Sequence, residues 1–208
     1  MSSRTRSVVV LVYPGFEPID AIAPADVFRV AGMLGAEGGA TPPFEVKLVG
    51  ARPGPVETAG FLKIETAGSV DEIDAADVVV VPGGDRELLW SDEHIGAWLR
   101  KVAPQAELMM TVCTGAFGLA AIGLLDGLEA TTWHEALDDL ASRAPKVRVV
   151  RHRRFVESNG VLTTAGVSAG IDGALGAVAR LVDPRLADRV ASYIEYPWRR
   201  DEVRESIH

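Results

Sequence analysis

Short runs of continuous apolar residues, alternating with segments of helical spacing, limit the fold of this chain more than any other feature. Residues 7–13 and 78–81 are almost entirely apolar, as expected for strands buried on both faces of a parallel sheet. Segments with apolar residues three and four apart follow them, at residues 24–34 and 93–102. This alternation continues along the chain and predicts an α/β sandwich, a mostly parallel central sheet with helices on both faces.

The remaining elements fit the same plan. Further strands are expected at residues 44–49, 128–132, 147–150, 154–156 and 161–165, and further helices at residues 135–141 and 169–182. Asn159 and Gly160 predict a tight hairpin turn. A chain of 208 residues, 48% of them hydrophobic, is long enough for one well-packed domain and short for two. We therefore expect a single domain over residues 1–208.

The only cysteine, Cys113, stands where a strand pattern changes into a helix pattern. Apolar residues continue to Val112, and a helical run begins at Ala116 with Gly115 in the turn. Such a turn presents a nucleophile, and the N–H groups at a helix start favour the thiolate, so we expect a lowered pKa for Cys113. The alternative is a small buried apolar residue. The strand–turn–helix context favours the nucleophile.

Loops at the carboxyl ends of parallel strands form the ligand crevice of open sheets. Residues 82–85 follow one strand and residues 113–115 follow the next. Gly83 and Gly84 would let backbone N–H groups turn toward the thiol, and with the N–H of Thr114 they predict an oxyanion hole for substrate charge. The alternative is an ordinary Pro-Gly-Gly turn.

Two acids lie on the loop after the first strand, Glu17 and Asp20. A carboxyl group beside the sulfur could carry a proton between thiol and substrate. Asp20 is our candidate for this role, with Glu17 as a further possibility. The alternative for Asp20 is an N-cap of the following helix.

Composition excludes several classes of function. The net charge of −8 argues against a surface that binds nucleic acid. The single cysteine excludes an internal disulfide. Basic residues within 148–154 form either a solvated face or an anion patch. The first apolar run stops at Pro14, too early for a signal peptide or a membrane span, so we expect a cytoplasmic protein with no membrane partner. The histidines lack ligand spacing, and no metal is expected.

Ser168 is an alternative candidate nucleophile, because residues 166–170, Gly-Val-Ser-Ala-Gly, match the nucleophile-elbow motif of serine hydrolases. That chemistry requires an acid and then a histidine downstream of Ser168. His208 is the only later histidine. We therefore expect these glycines to serve close packing and Ser168 to be catalytically inert.

Taken together, these motifs resemble the DJ-1/PfpI superfamily, which shares the class I glutamine amidotransferase fold. The pattern is most similar to isocyanide hydratases and to the amidotransferase-like domains of AraC-type regulators. The resemblance covers nearly the whole chain and rests on VYPGFEPID (12–20), PADVF (24–28), VPGG (81–84), TVCTG (111–115), AIGLLDG (121–127), ATT (130–132) and TTAGVSAGID (163–172).

The resemblance implies a flavodoxin-like sandwich and a cofactor-independent hydratase. Cys113 would attack the isocyanide carbon, Asp20 would act as the acid, and Thr114 would follow the nucleophile as in those hydratases. Water would then release an N-substituted formamide from a covalent thioimidate. The resemblance also implies a homodimer, which the apolar run at residues 170–182 favours. A small molecule is the expected substrate.

Two departures from the family pattern limit the assignment. Thr114 replaces the histidine that peptidase-like relatives carry after the cysteine, which weakens a protease reading. Many relatives have histidine and then tryptophan after ATT, whereas this chain has Trp133 and then His134. The offset rotates a helical side chain by about 100°, so we expect His134 to miss the sulfur, although its role stays open. A glyoxalase or deglycase acting on α-oxoaldehydes, and a non-catalytic redox or ligand sensor, are the alternatives.

Overall fold

A computed structural model describes residues 4–198, and its elements follow the expected alternation. The strands are β1 (Arg6–Val12), β2 (Phe44–Gly50), β3 (Val56–Glu57), β4 (Lys63–Ile64), β5 (Val78–Val81), β6 (Leu108–Thr111), β7 (Glu129–Ala130), β8 (Arg148–Val149), β9 (Phe155–Ser158) and β10 (Val161–Thr164). The helices are α1 (Pro18–Gly35), α2 (Arg86–Ser91), α3 (Glu93–Val102), α4 (Ala116–Ala121), α5 (Leu137–Arg143), α6 (Ala169–Leu181) and α7 (Pro184–Tyr193).

The central sheet has six strands in the order β2-β1-β5-β6-β10-β9. All neighbours are parallel except β9, which pairs antiparallel with β10. The sequence prediction of a mostly parallel sheet is therefore confirmed. Register matters most between β5 and β6, where Val81 pairs with Thr111. Two residues further along each strand, this register sets Gly83 beside Cys113.

Helices cover the sheet in two groups. The first group, α1, α6 and α7, packs together, and the second consists of α2, α3 and α4. The apolar length of α6 is explained within the chain, because this helix packs against α1, α7 and β10. It therefore gives no separate support to the predicted dimer. Of the helices within residues 4–198, none is long and apolar enough to cross a bilayer.

The first helix begins earlier than its apolar spacing predicted. Pro18 occupies the first turn, and Pro24 lies inside the helix, where we expected the helix to start. Burial of Ala21 and Val27 on either side of Pro24 compensates for the backbone hydrogen bond that proline cannot make. Asp20 lies in the first turn, and Glu17 holds the N-cap position. The alternative role of Asp20 as an N-cap is therefore wrong.

The smaller elements show where the sequence pattern was right and where it was not. The hairpin joining β9 to β10 forms at Asn159 and Gly160, both with left-handed φ angles. The strands expected at residues 128–132 and 147–150 shrink to two residues each and pair with one another as β7 and β8, outside the main sheet. Helices α2 and α7 were not predicted.

Candidate active site

Cys113 lies two residues after the end of strand β6 and begins a single 3-10 turn that leads into α4. Its φ angle is +56°, which non-glycine residues rarely adopt. Both of its backbone groups are held: the N–H donates to the Ala165 carbonyl at 3.0 Å, and the carbonyl accepts from the Thr132 hydroxyl at 2.7 Å. The predicted strand-to-helix turn at Cys113 is confirmed, and its strained backbone is stabilised by neighbouring loops.

Asp20 reaches the thiol from the first turn of α1. The residue is 0% exposed, and its Oδ2 accepts a hydrogen bond from the Gly83 N–H at 3.1 Å. Within residues 4–198, its buried Oδ1 has no hydrogen-bond partner. Burial raises the pKa of Asp20 to about 7, and the charge of Glu17 adds to this, while the Gly83 N–H and the Cys113 side chain oppose it. Asp20 can therefore both take up and release a proton near neutral pH.

Gly83 lets the acid and the thiol approach each other. A Cβ at this position would lie 2.7 Å from Asp20 Oδ2 and 2.8 Å from the Cys113 Cβ, closer than real side-chain contacts. Any other residue would push one of the two groups away. The predicted importance of this glycine thus has a steric origin, in the space between Asp20 and Cys113.

The predicted oxyanion hole needs correction. The Gly83 N–H is used by Asp20, and the Gly84 N–H donates to the Thr114 hydroxyl at 2.9 Å. The Thr114 hydroxyl in turn donates to the Gly84 carbonyl at 3.2 Å. Because both glycine N–H groups are already paired within the protein, they orient the acid and the threonine and do not face a substrate. The Thr114 N–H is directed at the sulfur, where it favours the thiolate.

The expected lowering of the Cys113 pKa is also wrong. Burial raises the pKa of the thiol to about 12, and the negative charge of Asp20 acts in the same direction. The backbone N–H groups of Thr114 and Val167 favour the thiolate but are outweighed. Desolvation dominates because the sulfur is buried and α4 is only six residues long. The resting pair is a neutral thiol beside an acid that is ionised above about pH 7.

The thiol opens into a cavity of about 470 Å³. Glu17, a predicted site residue, lies on its wall. Arg86 and Val167 were not predicted from the sequence to line this cavity, and Trp133 was not assigned to a site. The lining residues are Glu17, Gly84, Asp85, Arg86, Cys113, Thr114, Trp133 and Val167. The cavity thus combines an apolar wall with charged groups at its rim.

His134 does not join this constellation. Its side chain is 76% exposed and lies 3.7 Å from Glu135, and it lines a separate cavity together with Thr132. The one-residue offset relative to the family pattern places Trp133 on the thiol cavity instead. His134 therefore misses the sulfur, as expected from the offset, and of the two further candidates only Glu17 lines the thiol cavity.

The serine motif contributes backbone, not a nucleophile. Val167, with a φ angle of +39°, directs its N–H to the Cys113 sulfur. Ser168 is exposed, and its hydroxyl accepts from Arg154 at 3.3 Å. His208 lies outside the described residues. The only sequence signal for Val167 was its place in a glycine-rich turn after a strand, which we had assigned to packing alone.

Sequence and structure comparisons agree on the class of protein. An isonitrile hydratase of Pseudomonas putida is 32% identical over 190 residues, which cover 89% of this chain and 76% of that enzyme. The HTH-type transcriptional regulator CdhR of Pseudomonas aeruginosa is 27% identical over 181 residues, and the match spans about half of its length (52%). A solved ThiJ/PfpI family protein from Pseudomonas syringae superposes with a TM-score of 0.82 at 27% identity, covering 94% of this chain and 77% of that one.

The sequence pattern of the DJ-1/PfpI family matches residues 6–180, which include every strand of the central sheet, the cysteine turn and the acid loop. The motifs quoted from the sequence lie inside this match, as do Asp20, Gly83 and Cys113. The chain belongs to the DJ-1/PfpI family.

Proposed function

We propose that this protein is a cysteine-dependent hydratase that converts small isocyanides into N-substituted formamides. The observation that carries the proposal is the buried contact of Asp20 with Cys113 across Gly83, at the inner end of a partly apolar cavity. The similarity to an isonitrile hydratase supports the substrate class. The reaction needs a nucleophile and a proton carrier, and both are supplied by the chain.

In the first step, the sulfur of Cys113 attacks the terminal carbon of the isocyanide. Ionised Asp20 takes the thiol proton as the carbon–sulfur bond forms, so no free thiolate has to exist at neutral pH. The carbon–nitrogen triple bond becomes a double bond, and the electron pair left on carbon takes the proton back from Asp20. The product is a thioimidate, R–N=CH–S–Cys. An acid with a pKa of about 7 can act in both directions.

In the second step, water adds to the thioimidate carbon. Asp20 removes a proton from the water and passes it to the nitrogen, which gives a tetrahedral R–NH–CH(OH)–S–Cys adduct and leaves Asp20 ionised again. As the adduct collapses, the hydroxyl loses its proton and becomes the formamide carbonyl, the carbon–sulfur bond breaks, and the proton passes to the sulfur, which releases R–NH–CHO. The Thr114 and Val167 N–H groups, which face the sulfur, stabilise the departing thiolate.

The test follows formamide formation from an alkyl isocyanide by NMR. Cys113→Ala should abolish turnover, and Asp20→Asn should reduce it roughly 10²-fold, as expected for lost proton transfer. The exposed neighbour Ser168 supplies a matched control, since Ser168→Ala should leave turnover within about twofold. Because Asp20 must be ionised to accept the thiol proton, wild-type kcat/KM should rise with pH through about 7. Formamide production by Cys113→Ala would refute the covalent mechanism.

A second candidate is a glyoxalase-type activity on α-oxoaldehydes. The observation that favours it is Glu17, a carboxyl group on the wall of the thiol cavity in addition to Asp20 beside the sulfur, which could move a proton between the two carbons of a thiohemiacetal. Methylglyoxal should then be converted to lactate with the same dependence on Cys113, and Glu17→Gln should lower that rate. If neither methylglyoxal nor isocyanide turns over, both enzymatic proposals fail and the sensor alternative remains.

We also propose that the protein forms a homodimer through the face of α1 and the edge strand β2. Ile19, Ile22 and Met33 on α1 are large apolar side chains that remain 41–50% exposed. Ile22 and Met33 border a groove of about 490 Å³ whose other wall is β2. An exposed apolar face of this kind is typical of an interface between protein chains.

A further inference from the structure

A second cavity, of about 490 Å³, lies beside the thiol cavity and shares none of its lining residues. Four of its residues carry basic side chains, and none carries a carboxyl group. The lining residues are Thr131, Thr132, His134, Leu137, Arg151, His152, Arg153 and Ala165. We call this space the basic cavity. Its charge contrasts with the net charge of −8 of the whole chain.

The positive charge of the basic cavity is only partly neutralised by the protein. Arg151 pairs with Asp138, whose side chain is 89% exposed, and such a surface ion pair holds its partners weakly. Arg153 is half-buried and also borders a neighbouring cavity that carries Glu129 and Glu157, but no ion pair or hydrogen bond joins its side chain to these or any other described residue. A guanidinium withdrawn from water without a counter-charge is unfavourable. The cavity therefore has the electrostatics of a site that an anion would complete.

Not every arginine within residues 148–154 lacks a partner, as Arg148 shows. It belongs to the same segment of sequence, but its guanidinium donates to the Gly127 carbonyl at 2.7 Å and lies 4.0 Å from Glu129. It is 65% exposed and does not line the basic cavity. A general solvated basic face would not distinguish these arginines, so the unpaired charge is specific to Arg153.

The basic cavity is also lined by two residues that hydrogen-bond to the backbone of Cys113. Thr132 binds the carbonyl of Cys113, and Ala165 accepts its N–H. Trp133 and Val167, which follow Thr132 and Ala165 in the same two loops, line the thiol cavity instead. An occupant of the basic cavity would thus rest against the loops that set the geometry of Cys113.

We propose that the basic cavity binds a small organic anion whose carboxylate or phosphate group pairs with Arg153. Its planar guanidinium can donate two parallel hydrogen bonds to either group. Arg151 adds a second positive charge, and the hydroxyl of Thr131 offers a further donor, whereas that of Thr132 is used by the Cys113 carbonyl. The volume is in the range of small-molecule sites. This site is separate from the proposed isocyanide chemistry and does not depend on it.

Calorimetric titration at low salt tests the proposal with two probes, inorganic phosphate and succinate, which distinguish the two anion types. We expect saturable binding of at least one probe by the wild-type protein. Arg153→Ala should weaken that binding by about tenfold or more, as for loss of a charge-assisted hydrogen bond. The matched control Arg148→Ala should leave it unchanged. Arg153→Lys, which keeps the charge, should retain part of the affinity.

Amide chemical shifts in the presence of the bound probe should locate the site. They should move at residues 131–134 and 151–153 more than at residues 14–20, and neutral succinamide should cause no comparable change. Thermal unfolding of each variant checks that the fold is intact. Failure of both anions to bind saturably at millimolar concentration would overturn the proposal. Equal weakening by Arg153→Ala and Arg148→Ala would also overturn it, because that result describes diffuse attraction to surface charge.

Discussion

Replacing Asp20 by asparagine should stabilise the protein above neutral pH. In the unfolded chain this carboxyl ionises near its ordinary pKa of 3.8, whereas in the folded protein burial raises the pKa to about 7. Between these values the unfolded state releases a proton that the folded state keeps, so the free energy of unfolding falls as pH rises. Each step of one in pKa corresponds to about 1.4 kcal/mol, which gives about 4 kcal/mol in total.

Of this total, about 3 kcal/mol falls between pH 5 and pH 8. Asparagine keeps an acceptor for the Gly83 N–H and has no charge to desolvate, so it should lose none of this stability. Urea unfolding of wild type and Asp20→Asn at several pH values measures the difference. The buried Asp172, whose pKa is also raised, is present in both proteins and cancels. Curves that stay parallel from pH 5 to pH 8 would show that Asp20 titrates normally, and the reasoning would fail.

Four further predictions concern the thiol, the glycine and the exposed helix face. Because the pKa of Cys113 is raised to about 12, its reaction with iodoacetamide should keep accelerating up to at least pH 10, and a plateau below pH 8 would contradict this. Asp20→Asn, which removes the negative charge beside the sulfur, should accelerate alkylation at a fixed pH. Gly83→Ala should reduce turnover at least 10²-fold with an unchanged circular dichroism spectrum; near-normal turnover would contradict the steric argument. Ile22→Glu should shift a dimer to monomer in sedimentation velocity, and a wild-type monomer at micromolar concentration would rule the dimer out.

The order of strands and helices could be predicted because it depends on local pattern. Continuous apolar runs mark the buried parallel strands, and the change of pattern at Cys113 marks the strand-to-helix turn. The early start of α1 could not be predicted from its apolar spacing, since tertiary burial carries the helix through Pro24. The edge strand β9 followed from the Asn159–Gly160 turn.

The residues of the candidate site could be predicted from the sequence, but the direction in which the Cys113 pKa shifts could not. Asp20, Gly83 and Cys113 were expected near one another because they follow neighbouring strands, and they lie together. The direction of the Cys113 pKa shift depends on how deeply the sulfur is buried and on which hydrogen-bond donors face it. Neither can be read from the sequence. The N–H of Val167 and the pairing of the Gly84 N–H likewise depend on loop conformations set by tertiary contacts.

Because the single cysteine is buried, its reactivity toward thiol reagents can report on the folding of this chain. Cys113 and Asp20 come from distant parts of the sequence and meet only when β1, β5 and β6 are aligned. In the unfolded chain the thiol regains an ordinary pKa near 8.5 and becomes accessible, so at pH 8 it is labelled far faster than in the native protein. A pulse of thiol reagent followed by mass spectrometry therefore counts the molecules whose central sheet has not yet formed, with no engineered label and no second cysteine to confuse the signal.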